Sequence, residues 1–106
     1  MRWEFAPDIK RKICFLVKKL SLDYISHKRI FCFRSFGSKS NAIARIWALP
    51  KIWQKALNVK PGYCIEVISE KFDKMNNQEK EEVLIHELKH IPKNFSGTLL
   101  GHKKRK

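Results

Sequence analysis

From residue 9 to residue 20 the apolar positions fall at helical spacing: Ile9, Ile13, Leu16, Val17 and Leu20. Lys10, Arg11, Lys12, Lys18 and Lys19 take the other faces. Pro7 suits a first helical position and Asp8 a first turn, so the helix is predicted to begin at this pair. Its apolar stripe predicts a scaffold helix packed on a sheet; a basic helix lying on a membrane is the rival reading. Residues 29–36 are aromatic-rich and too short for a stable helix, which predicts a strand. Residues 37–41 form a loop, residues 43–49 a second strand ended by Pro50, and residues 50–57 a short helix that buries Ile52 or Trp53. After a turn over 58–62, residues 63–69 give a third strand with Tyr63, Ile65 and Val67 on one face.

The clearest helix comes last. Asn76 is a good N-cap and Glu79, three residues on, completes a capping-box pattern. Glu79, Glu81 and Glu82 crowd the first turns, where the partial positive charge of the helix end favours them. Pro92 predicts an end near Ile91. With His86 at the origin of a helical wheel, Leu84, Leu88, Ile91 and Ile85 lie between about 140° and 260°, while His86 and His90 lie about 40° apart on the opposite side. Two histidines facing away from the apolar stripe are poor candidates for ordinary core residues. Two solvent-exposed histidines spaced by chance are the rival.

The stretch reads His86-Glu87-Leu88-Lys89-His90. Residues four apart on a helix share a face, so His86 and His90 are placed to hold one metal ion, and Glu87 to reach a water on it, as in zinc peptidases. Three protein ligands plus a water make the catalytic zinc pattern. Downstream of Glu87 there is no Asp, Glu or Cys, which leaves His102 as the candidate third ligand. The rival reading of His102 is a histidine that merely opens a basic tail, residues 102–106. The metzincin spacing is absent, since Lys93 and Ser96 stand where its glycine and histidine belong. His27, between Ser26 and Lys28, is expected to be a surface residue of a loop.

The segment from His86 to His102, with Ala44-Arg45-Ile46-Trp47-Ala48-Leu49-Pro50 and Tyr63-Cys64-Ile65-Glu66-Val67-Ile68-Ser69 upstream, resembles the minigluzincins, small soluble zinc metallopeptidases of about this length. The resemblance covers most of residues 42–102. That family looks like the catalytic cores of the HtpX and BlaR groups of membrane metallopeptidases without their membrane spans. The resemblance implies zinc ligands at His86 and His90, a general base at Glu87, and a histidine, His102, in place of the glutamate that most gluzincins use. No residue clearly matches a transition-state tyrosine or histidine of the larger gluzincins.

The order of elements gives an α+β fold. It is a small zincin-like domain with a sheet of three strands or more, packed on the N-terminal helix and the His-Glu-x-x-His helix. In such folds an extended substrate adds to the edge strand above the metal. Strand 43–49 or its neighbour is the expected edge, with Trp47 and Arg45 as candidate cleft contacts against the alternatives of sheet packing and a solvated charge.

At 106 residues the chain is one domain with a modest core. No apolar run is long enough to cross a membrane, and charges through residues 1–20 are unlike a signal peptide, so a soluble cytoplasmic protein is expected. Cys14, Cys32 and Cys64 are odd in number and lie in apolar runs, which predicts buried free thiols. A net charge of +13 fits nucleic acid, anionic lipid or an acidic partner. The lysines are spread along the chain, which favours a solvated surface.

The expected function is zinc-dependent hydrolysis of a peptide or protein substrate, isolated in an active or a latent form. The latent form includes a homodimer made through the C-terminal segment. The alternatives are a zinc-binding but catalytically silent protein, or a nucleic-acid-associated protease like the Spartan group, whose later Gly-His pair Gly101 and His102 echo.

Overall fold

Four strands make the sheet, within the expected three or more and one beyond the three read along the chain. The addition is β1 (Arg2–Phe5), which pairs antiparallel with β2 (Ile30–Phe36) from Arg2 opposite Phe36 to Phe5 opposite Phe33. A computed structural model describes residues 1–101 of the chain. In it β2 runs parallel to β4 (Tyr63–Ile68), and β4 runs antiparallel to β3 (Ala44–Ala48). The spatial order is β1-β2-β4-β3, so β3 forms one edge.

Alternation along the strands separates two faces. Ile30 and Cys32 of β2, Ile65 and Val67 of β4 and the half-buried Ile46 of β3 point inward. They meet Ile9, Ile13, Leu16 and Val17 of helix α1 (Pro7–Lys19) and Leu84 and Leu88 of helix α4 (Asn77–Leu88). The expected α+β architecture, one sheet backed by two long helices, is therefore the one observed. Leu20, the last residue of the predicted stripe, is half-exposed at the helix cap. Lys12 of α1 pairs with Glu81 of α4 at 3.1 Å.

Two shorter helices complete the fold. Helix α3 (Ser69–Phe72), absent from the sequence expectations, buries Phe72. Helix α2 (Lys51–Leu57) forms where expected but does not bury its apolar residues, as Ile52 and Trp53 are 77% and 54% exposed. It is moored through a polar side chain instead: the Gln54 amide donates to the Leu49 carbonyl at 2.8 Å.

Arg34 ties three elements together. From β2 its guanidinium donates to Asp8 of α1 at 2.7 and 2.9 Å and to Asp73, just after α3, at 2.8 and 3.0 Å. The Arg34 hydrogen bonds hold both aspartates below their ordinary value of 3.8, against the opposing effect of burial. Because both folded-state values are lowered, this stabilisation is present in full above about pH 4 and is lost as pH falls through the folded values. Arg34→Ala should cost about 1–2 kcal/mol near neutral pH, discounted for partial solvent exposure. In urea titrations the difference from the parent should vanish toward pH 2.

Of the three cysteines, all free, only Cys32 is buried, and burial pushes its thiol up to about 12. Cys14 and Cys64 are half-buried rather than buried as expected; Cys64 lies on the face of the sheet turned away from the helices, opposite Trp47. His27 sits half-buried in a single 3-10 turn with Nδ1 3.7 Å from Cys14 Sγ, rather than at the open surface. Among the described residues no helix is long and apolar enough to cross a membrane.

Candidate metal centre

The predicted capping box starts α4. The Asn76 side chain accepts from the Glu79 N–H at 2.8 Å, and the Glu79 carboxylate accepts from the Asn76 N–H at 3.1 Å. The α-helix ends at Leu88, three residues before the expected end. The last turn tightens: Lys89 N–H still reaches the Ile85 carbonyl, but His90 and Ile91 donate to Glu87 and Leu88, only three residues back, at 3.1 Å each. Pro92 has no N–H to continue the α-helical ladder, and the shorter bonds satisfy carbonyls that it would leave open.

His86 is exposed and His90 half-buried, and their ring centroids lie 5.1 Å apart with the planes nearly perpendicular, at 88°. Glu87 is turned toward the protein and is 7% exposed. All three line a cleft of about 820 Å³ between α4 and the inward side of β3. Ala42, Ile43, Ala44 and Ile46 form its strand wall, and Leu99, Leu100 and Gly101 its far rim. The edge strand over the motif is therefore β3, as expected. Arg45 also lines the cleft, as expected, although its guanidinium reaches Glu66 at 3.0 Å. Trp47 does not line it, and its indole bonds to Glu66 on the other face of the sheet at 2.9 Å.

The chain after α4 returns to the motif. Leu100 N–H donates to the His90 carbonyl at 2.7 Å, and His90 Nδ1 lies 2.6 Å from the Leu100 carbonyl. A carbonyl oxygen only accepts, so Nδ1 is the donor in this contact. Tyr63, missed by sequence reasoning, pins this return. Its buried hydroxyl donates to the Thr98 carbonyl at 2.8 Å and accepts from Gly97 N–H at 2.9 Å. Burial, opposed by the Gly97 bond, raises its pKa. Alternation placed Tyr63 on the inward face, but no local signal points to partners more than thirty residues on. Gly97 itself needs to be glycine, with φ +92° and a Cβ that would stand 3.1 Å from the Leu49 carbonyl.

Tyr63→Phe should lower stability by about 1–3 kcal/mol, since it strands a buried N–H and a carbonyl. Chemical denaturation measures this, and an unchanged midpoint would contradict the pin.

Two imidazoles on one face beside a carboxylate fit a divalent cation such as zinc. Among the described residues no three His, Cys, Asp or Glu groups come together as a complete metal site. His102 and the basic tail lie outside the described residues.

A helix that carries His86 and Glu87 in its last turn, with His90 just past its end, lies beneath an exposed sheet edge, which fits a metallopeptidase. The profile of a family described as "Putative phage metallopeptidase" matches residues 1–106, and the chain belongs to that family. No curated protein and no solved structure matches the chain significantly.

Proposed function

We infer that the chain is a zinc-dependent endopeptidase in which His86, His90 and His102 hold one zinc ion and Glu87 is the general base. The observation that carries this reading is the pairing of the His86 and His90 rings, 5.1 Å apart, in a cleft bounded by the sheet edge. The Leu100 carbonyl supports it by keeping the His90 proton on Nδ1, which assigns Nε2 to the metal. The assignment of His102 is supported by the path of the chain. Gly101, the residue before it, already lines the cleft, and one more residue adds at most about 3.6 Å of reach to the backbone, before its side chain. The same three-histidine set underlies the finer resemblance to minigluzincins.

Zinc bound there would supply Lewis acidity, polarising a carbonyl and acidifying water. The edge of β3 presents backbone groups to an extended peptide, whose own backbone would continue the ladder. Glu87, next to His86 in sequence and facing the same cleft, takes the proton of the attacking water and passes it to the leaving amine.

The test is hydrolysis of an unstructured protein substrate before and after chelation. Activity lost to chelator and restored by zinc supports the reading; activity indifferent to chelator contradicts it.

One observation also favours latency. Leu99, Leu100 and Gly101 occupy the rim of the cleft and Leu100 is bonded to His90, so the chain's own C-terminal segment lies where substrate must enter. Removing residues 103–106, which keeps His102, should raise activity if this segment restrains the site.

A further inference from the structure

The face of the sheet turned away from α1 and α4 carries an exposed group of aromatic rings. Its outward positions include Trp3 and Phe5 on β1, Phe31 and Phe33 on β2, Arg45 and Trp47 on β3, and Cys64 and Glu66 on β4, while Ser35 and Ile68 at one end of it are buried. Trp3, Phe5 and Trp47 are 55%, 74% and 51% exposed. Soluble chains seldom leave such a group of large rings open without a partner. Phe5 and Phe33 stack with centroids 4.7 Å apart.

The centre of this face is unusual. Glu66 is 1% exposed, and its carboxylate accepts from Trp47 Nε1 at 2.9 Å, Trp3 Nε1 at 3.3 Å and Arg45 Nε at 3.0 Å. Burial works against its ionisation, but the Arg45 guanidinium and the other donors prevail and hold its pKa below the usual range. One buried carboxylate thus fixes two indoles by their polar edges. Between them lies a hollow of about 470 Å³ floored by Phe33 and Cys64. Fixing the rings in advance removes the ordering cost of binding a flat ligand.

Charge selects the ligand. The outward set includes a single carboxylate, and that one is buried and fully occupied by donors. Arg45 lies over the Trp47 ring at 5.4 Å and Arg29 over the Phe31 ring at 5.5 Å. The chain as a whole carries +13. A second copy would bring two strongly positive chains together, whereas a polyanion with flat bases matches both the rings and the charge.

We propose that this outer sheet face binds single-stranded DNA, with bases stacked on Trp3, Phe5 and Trp47 and phosphates drawn by the basic chain. The carboxylate of Glu66, the two indole N–H groups and Arg45 are already bonded to one another, and the Ser35 hydroxyl is buried out of reach, so none of them compensates the desolvation of a ribose 2′-hydroxyl. That favours DNA over RNA and leaves base identity unread. The face lies across the sheet from the cleft, so both surfaces can be occupied at once. The proposal does not rest on the metal reading, and its test needs no zinc.

The test is fluorescence anisotropy of a labelled short oligothymidine at low salt and at increasing salt, with the parent protein, Phe5→Ala and Trp3→Leu. Binding should weaken steeply with salt, and each ring removal should weaken it at least about fivefold without altering net charge. Phe5 is 74% exposed and donates no hydrogen bond, so its variant should fold even if Trp3→Leu does not. Four results would overturn the proposal. They are no binding at low salt, binding unchanged in Phe5→Ala (attraction by charge alone), tighter binding of oligouridine, or a sedimenting dimer abolished by Phe5→Ala.

Discussion

Glu87→Gln should leave zinc binding intact and slow peptide hydrolysis by about 10²–10⁴-fold. Glutamine keeps the size and shape of the side chain, and at 7% exposure Glu87 is packed closely enough that an isosteric replacement is needed to preserve the helix end. The amide cannot take a proton from water, so the general-base step is removed while the two imidazoles stay in place. Measuring hydrolysis and metal content on the same preparation separates the two effects. An active variant would end the assigned role of Glu87; an inactive and metal-free one would mean that Glu87 holds the site together.

His90→Ala should have the second large effect, because His90 is both a proposed zinc ligand and the partner of the returning Leu100. Its ring is 5.1 Å from that of His86, and its Nδ1 donates to the Leu100 carbonyl at 2.6 Å. Losing an outer-shell partner alone typically costs 10–100-fold in metal affinity, so losing a ligand should cost at least ~100-fold. Hydrolysis should fall with it. The backbone bond from Leu100 N–H to the residue 90 carbonyl survives the substitution, so amide exchange should rise at Leu100 without complete release. Competition with a chromophoric chelator gives the affinity, and parent-like affinity would remove His90 from the ligand set.

The features legible in the sequence are those decided by neighbours in the chain. The capping box of Asn76 and Glu79, the start of α1 at Pro7, and the inward alternation of Tyr63, Ile65 and Val67 all depend on contacts within a few residues, and each forms as read. Strand β1 was missed because its four residues are all exposed and its register is set by β2, about thirty residues away. Trp47 shows the same limit. Alternation requires it to oppose Ile46, but only the packing of α4 decides which side of β3 becomes the cleft. The exposure of Ile52 and Trp53 on α2 follows from a mooring through Gln54 that no hydrophobic pattern encodes. In the candidate site, the helix that carries His86 and Glu87 was readable, though it stops at Leu88, short of His90. The turn at Gly97, the Tyr63 pin and the return of Leu100 to His90 were not, since each is a contact between distant segments.

The central claim is that three histidines hold one zinc ion, and metal content tests it most directly. Protein purified from zinc-replete medium should carry one zinc per chain, and His102→Ala should lose most of it while remaining folded by circular dichroism. Parent protein that emerges free of zinc, or a His102→Ala variant that retains the full complement, would contradict the account.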